Sequence, residues 1–408
     1  MDLKSGYPFW AVKNGLMKSF PALTADTRCD VLIVGGGITA ALIAQSLADD
    51  GQSVVVIEQR DIGWGSSAAS TALLQYEIDT HMTELASRYG EDNAVLAYRA
   101  CADAIPQLQE LAATVRDVDF ARMHSLYFAS SLFHVGRLNA EYELRQRHGF
   151  AVSLLKRGEI REQYGFSSAM AIFSELAGRI DPYRLTYRLL MRLEKRGVSI
   201  FDRTRLESFE ASTRGVVART ADGITITAGH LVFAAGYASQ QYLDTRVARN
   251  RSSYAFITDP IDKEALGPLA ETMVWESARP YLYMRSTGDG RLLIGGEDDD
   301  IDIPLRRDAS VDRKAGILRK RVAKLFPNLP LQPTFAWAGT FAETDDGLPF
   351  FGPHPQHGPR VQFAMAYGGN GITFSAAGAA LITKLIRRES HPLAALFSFD
   401  RLHQQRAP

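Results

Sequence analysis

The chain has 408 residues, 46 Lys+Arg against 46 Asp+Glu and a hydrophobic fraction of 46%, so its formal net charge is zero. Such a balance offers no field to gather a polyanion or an anionic membrane, and no apolar run approaches the roughly 18 residues that span a bilayer. Two cysteines, Cys29 and Cys101, exclude a disulfide scaffold and a cysteine-based zinc site. The opening MDLKSGYPFWAVKNGLMKSFPAL lacks a continuous apolar core and a small-residue cleavage pattern. We therefore expect a cytoplasmic protein of two or three structural units, with no nucleic-acid partner and no membrane span.

The first regular unit is DVLIVGGGITAALIAQSLADDGQSVVVIEQR. A β-branched run from Asp30 to Val34 breaks at three glycines, a helix follows with Ile38, Leu42, Ile43 and Leu47 as its apolar stripe, and Ser53 to Ile57 reads as a second buried strand. From Asp79 to about Leu155 the pattern is helical and reads as an inserted helical region. A helix is predicted from Pro182 to Arg196, stopped by Gly197, and the next section, with a hairpin turn at Asp222-Gly223, ends in a strand that runs into Ala234, Ala235 and Gly236. Between about Arg251 and Thr340 the segments read as antiparallel strands interrupted by a helix from Arg313 to Phe326. A strand at Val361 to Met365, a glycine cluster at Gly368 to Gly371 and a helix of about 15 residues ending at Arg387 and Arg388 close the pattern.

Gly35-Gly36-Gly37-Ile38-Thr39-Ala40 lies between a strand and a helix, where a dinucleotide-binding turn belongs. Gly35 allows the tight turn, Gly37 lets the backbone approach a pyrophosphate, and Ala40 and Ala44 keep the helix close to the sheet. Glu58 closes the second strand 23 residues beyond Gly35, where a carboxylate accepts from an adenosine ribose and repels a 2′-phosphate. FAD or NAD is therefore expected rather than NADP. Two later segments speak to which: GWGSSAASTALL offers Ser66, Ser67, Ser70 and Thr71 to an extended cofactor, and GGNGITFSAAGAALITKLIRR sets a second helix N-terminus where negative charge would develop on a flavin.

Together these segments resemble the FAD-dependent oxidoreductases of the D-amino acid oxidase, glycine oxidase and sarcosine oxidase superfamily. RIDPYRL, LVFAAGYAS, RLLIGGED, DGLPFFG and HPLAALFSFDR extend the resemblance over most of the chain. The resemblance implies an α/β fold with a Rossmann-like FAD-binding domain, discontinuous over residues 1–80, 151–245 and 341–408. It also implies an antiparallel-sheet substrate domain with a helical insertion, over 81–150 and 246–340. Carried over by position, Gly35, Gly37, Ile38, Thr39, Ala40, Glu58, Gln59, Arg60, Ser66, Ser67, Ser70 and Thr71 would hold the nucleotide and pyrophosphate. Leu206, Ala235 and Gly236 fall at the adenine end, and Gly347, Leu348, Gly369, Asn370, Gly371, Ile372 and Thr373 at the isoalloxazine. Attachment is expected to be noncovalent, because neither cysteine lies in the C-terminal flavin region.

The resemblance further implies hydride transfer from an amine or amino-acid C–H to flavin N5, giving an imine that water hydrolyses. This chain departs from the pattern where glycine oxidases grip the substrate carboxylate, with Phe341 and Gly369 in place of two arginines. Leu293 stands where sarcosine oxidases carry an oxygen-activating lysine, which leaves oxygen or a carrier as the electron acceptor. The expected substrate is a small amine or amino-acid derivative. Glu343, Tyr367, Tyr283 and Phe341 are the candidate catalytic residues, with Tyr254, Tyr281 and Trp275 beside them and Glu77 and Asp79 as a second line. An aromatic wall suits an alkylammonium group and Glu343 could pair with it. Two other readings are an FAD-dependent 2-hydroxy acid or polyol dehydrogenase and a non-catalytic flavin-binding assembly protein. The nine histidines show no metal-binding spacing, so no metal is expected.

Overall fold

The structure, a computed structural model, describes residues 2–300 and 302–404. Residues 1, 301 and 405–408 of the expected domains lie outside the described residues.

The continuous apolar runs of the first unit do form buried parallel strands. Thr27–Val34 lies between Val54–Ile57 and Thr225–Phe233, and Ser199–Phe201 and Val361–Met365 extend the parallel array on its two sides. Antiparallel strands at the margins bring this sheet to eight strands. All four residues of Val54–Ile57 are buried, the composition of a strand covered on both faces. The helices Ile38–Asp49 and Gly371–Ile386 lie against each other, joined by hydroxyl pairs Thr39 Oγ1 to Ser375 Oγ and Ser46 Oγ to Thr383 Oγ1, each 2.8 Å. The middle helix, Pro182–Lys195, starts as its sequence demands, with Pro182 in the first turn and the Asp181 side chain accepting from the Arg184 N–H at 2.9 Å.

A second sheet of nine strands carries the expected antiparallel segments, Arg249–Ile257, Thr272–Glu276, Leu282–Ser286, Leu292–Asp299 and Phe335–Glu343. The helix that interrupts them spans Val311–Leu325.

The stretch read as helical from Asp79 to Leu155 is corrected by the structure. Met82–Tyr89, Glu91–Ala113 and Val135–Arg147 are helices, but Ala121–Phe128 and Val152–Lys156 are strands of the second sheet. ARMHSLYF is too short to show a period, and it is set by partners far away in sequence: it pairs parallel to Thr272–Glu276 and antiparallel to Met170–Arg179. Sheet membership also departs from the expected division at residue 151. Leu73–Gln75, Val152–Lys156 and Met170–Arg179 all hydrogen-bond in the second sheet, and the chain returns to the parallel sheet only after the middle helix.

Candidate functional site

One long cleft runs from the end of the strand Thr27–Val34 to the face of the second sheet. Open solvent at its mouth included, it encloses about 1840 Å³ of space not filled by protein atoms.

At the nucleotide end, Gly35 donates its N–H to Ile57 O at 2.8 Å with φ +119°, and a Cβ there would run into the Ala234 carbonyl. Only glycine fits that crossing. Gly37 then caps the helix Ile38–Asp49, whose first N–H groups border the cleft. Glu58 accepts from the N–H groups of Gly36 (2.8 Å) and Arg60 (2.9 Å). Burial pushes its carboxyl above the ordinary carboxylate range, and those two donors oppose the shift. Ser67 Oγ accepts from the Ile38 N–H at 2.9 Å. Ser66 Oγ and Arg60 Nε are buried without a protein partner, and both residues line the cleft. Orphaned donors beside a helix N-terminus and a buried carboxylate at the end of the second strand fit a dinucleotide diphosphate. Gln59, Ser70, Thr71, Ala235 and Gly236 line the same cleft.

Further along, the helix Gly371–Ile386 begins at the cleft wall, with Gly369, Gly371 and Ile372 in the lining. Asn370 and Thr373 do not line it. The Asn370 amide donates to Gln75 O (3.0 Å) and Glu77 O (2.9 Å), and the Thr373 hydroxyl donates to Asn370 O, so both hold the turn from behind. Ala40, Leu206, Gly347 and Leu348 also lie outside the lining. Ala40, Leu206 and Leu348 are packed in cores, and Gly347, at φ +71°, is closed in by Thr80.

The far end is aromatic and acidic. Trp275, Tyr281, Tyr283, Tyr254 and Phe341 line it as expected, joined by Tyr237, which the sequence did not single out. Gly295 makes room for Tyr283, whose ring lies where a Cβ would stand. Trp275 stacks on Tyr127 with ring centroids 3.7 Å apart. Two carboxylates face this space. Asp79 accepts from the Gly369 N–H at 2.9 Å and is pushed upward by burial, against the pull of Arg279. Asp298 is pushed up to about 6, first by burial, with a hydrogen bond from Ser253 opposing and the charge of Asp79 adding, and its Oδ1 is sheltered without a protein donor.

Two candidate catalytic residues are placed elsewhere. Glu343 is held by Arg251 Nε at 2.7 Å and Arg279 Nη1 at 2.9 Å and does not line the cleft, so its charge is already neutralised. Tyr367 is buried, and its hydroxyl donates to Gly236 O at 3.3 Å, which makes it a support for that turn. Glu77 is fully buried beside Arg145. Leu293 is core and, among the described residues, Arg60 is the only Lys or Arg in the lining.

Asp298 was missed because GGEDDD reads as a solvated acidic run. The signal lay in the glycine before it: Gly296 at φ +130°, followed by Glu297 at φ +55°, marks an irregular register against Arg249–Ile257, and that distortion turns Asp298 into the cleft. Leu3, at the edge of the cleft, was also missed.

The comparisons agree with this geometry. The family described as FAD dependent oxidoreductase (DAO) matches residues 30–385. The gamma-glutamylputrescine oxidoreductase of Escherichia coli (strain K12) is 24% identical over 391 residues, 94% of this chain and 89% of that protein. The glycine oxidase of Geobacillus kaustophilus (strain HTA426) is 26% identical over 374 residues, 89% of this chain and 94% of that protein. The crystal structure of L-proline dehydrogenase from P. horikoshii superposes with a TM-score of 0.77 at 18% identity, covering 95% of this chain and all of that one (100%). A cleft built for a dinucleotide, in this fold and with this match, identifies the chain as a member of the DAO family of FAD-dependent oxidoreductases, an enzyme that works through FAD.

Proposed function

We propose that the protein oxidises the C–N bond of a small amine or amino-acid derivative that presents an ammonium group, and that FAD is held noncovalently. One observation carries this reading: the substrate end of the cleft is walled by aromatic rings and faced by Asp79 and Asp298, and among the described residues no Lys or Arg lines it except Arg60 at the nucleotide end. Aromatic faces and carboxylates attract an ammonium ion and leave a free carboxylate without an anchor. The relatives named a glycine oxidase and a gamma-glutamylputrescine oxidoreductase support an amine class.

Bound FAD supplies the hydride acceptor at N5. The chain's own residues bind and orient the substrate. Asp298 Oδ1 accepts an N–H from the ammonium and takes up the proton that must leave before the C–H bond can donate its hydride. Trp275, Tyr281 and Tyr283 keep the reacting carbon out of bulk water, and the resulting imine is hydrolysed to a carbonyl compound and an amine. A 2-hydroxy acid dehydrogenase is disfavoured because no histidine among the described residues lines the cleft.

The test is anaerobic bleaching of the bound flavin by a panel of glycine, sarcosine, D-amino acids, γ-glutamyl amines, simple alkylamines and 2-hydroxy acids. Bleaching by amines alone is expected. Bleaching by 2-hydroxy acids and by no amine would overturn the reading. Mixing the reduced enzyme with oxygen in a stopped-flow instrument then separates oxygen from a carrier as electron acceptor.

A further inference from the structure

The family match begins at residue 30, yet the segment before it reaches the cofactor cleft. Leu3 lines the cleft, Lys4 sits over the Trp64 ring at 4.0 Å, and Tyr7 meets the same ring edge-on at 5.0 Å. The backbone of Leu3 and Ser5 adds to the strand Phe335–Glu343, through Thr340 N–H to Leu3 O (2.8 Å) and Ser5 N–H to Ala338 O (3.0 Å). From the short helix Phe9–Asn14, Trp10 donates its indole N–H to Ser70 O at 2.7 Å.

Ser70 lies in the small-residue loop that borders the cleft, and two neighbouring carbonyls of that loop are held in the same manner. Trp337 Nε1 donates to Ala69 O at 2.9 Å and Arg285 Nε donates to Thr71 O at 2.8 Å. Trp10, Trp337 and Arg285 are all fully buried, and Arg285 makes its other hydrogen bonds to the carbonyls of Ser286 and Ile180. Three donors from three distant parts of the chain thus take three successive carbonyls. Across a trans peptide the carbonyl of one residue and the N–H of the next point in opposite directions. The Ser70–Thr71 peptide is trans, so the indole that pulls Ser70 O toward the core turns the Thr71 N–H the other way. That N–H meets no acceptor among the described residues, and Thr71 borders the cleft.

We propose that Trp10 is a positioning residue for the cofactor: by fixing the Ser70–Thr71 peptide it presents the Thr71 N–H to bound FAD, and the segment before residue 30 is a working part of the flavin site. Trp337 and Arg285 hold the adjoining peptides in the same sense.

Trp10→Phe keeps an aromatic ring and removes the donor, together with part of the buried indole volume. Apo-protein titrated with FAD by fluorescence quenching should bind about five- to twenty-fold more weakly, the scale of one hydrogen bond in an ordered site. The visible flavin bands and the midpoint potential of the saturated variant should also shift, which a purely structural loss would not produce. A dissociation constant within about twofold of the parent together with an unchanged spectrum and potential overturns the proposal, whatever happens to the melting temperature. Should Trp10→Phe not fold, Arg285→Lys and Arg285→Met test the neighbouring peptide. The proposal expects weaker FAD binding and a shifted spectrum in Arg285→Met, with partial recovery in Arg285→Lys, and equal behaviour of the two variants overturns it.

Discussion

Asp298 shows how one carboxylate can set the pH dependence of the site. With its carboxyl pushed up to about 6, it is protonated in mildly acid solution and carries the charge an ammonium needs only above that value. The kcat/KM for an amine substrate should therefore rise through about pH 6, and Asp298→Asn should remove that limb and lower kcat/KM about 10- to 100-fold at pH 8. A pH profile in Asp298→Asn that keeps the same limb would assign it to another group. The same shift has a consequence for stability. The folded value lies above the unfolded one, so the unfolded chain releases this proton first, and the contribution of Asp298 to stability is present below about pH 4 and lost as pH rises to about 6. Gly35 makes a different kind of demand. Its φ of +119° and the Ala234 carbonyl against it leave no place for a methyl group, so Gly35→Ala should yield protein that purifies without flavin, checked by the visible spectrum.

The elements around the cleft are locked by buried polar contacts. His81, just before the helix Met82–Tyr89, meets the Tyr127 hydroxyl through Nε2 at 2.9 Å, and its Nδ1 accepts from Arg137 Nε at 3.1 Å. That pair ties the helical insertion to the strand Ala121–Phe128, whose Tyr127 stacks under Trp275 of the cleft. Burial holds the imidazole down at about 4, so the ring is neutral at pH 7. Because the folded value is depressed, its contribution to stability is complete above about pH 6.5 and lost as pH falls toward 4. Thermal melts between pH 7 and 4 should show this decline, and His81→Gln should flatten it. At the other margin, Arg401 donates from Nε to Asp346 at 2.6 Å and caps the carbonyls of Leu348 and Pro349. Both partners are fully buried, so Arg401→Ala breaks a buried ion pair and should cost about 3–5 kcal/mol, read by denaturant unfolding.

Across the whole molecule, the sequence is most legible where local chemistry decides the outcome. The glycine turn, Glu58 and the β-branched strand Val54–Ile57 each carry their reason within a few residues, so the nucleotide end could be read directly. The substrate end could be read only as a collection of aromatics, because its geometry depends on which strands become neighbours. Glu343 looked available until Arg251 and Arg279 were seen beside it, and no short-range pattern announces a partner 92 residues away. The strand Ala121–Phe128 was hidden for the same reason, its partner lying in Thr272–Glu276. The N-terminal segment contains no motif at all, and its Trp10 gains meaning only through the carbonyl it meets.

The three donors that hold the Ser70 loop stand at positions 10, 285 and 337, and the turn at Asp346 waits for Arg401. During synthesis the glycine-turn unit emerges early, but its cofactor loop then has one support of three. A ribosome paused anywhere before residue 337 holds a nucleotide fold whose binding edge is unfinished, so flavin loading is expected on the finished chain and not on the nascent one. Flavin supply in the expressing cell should then govern the yield of yellow protein without altering how much chain is made.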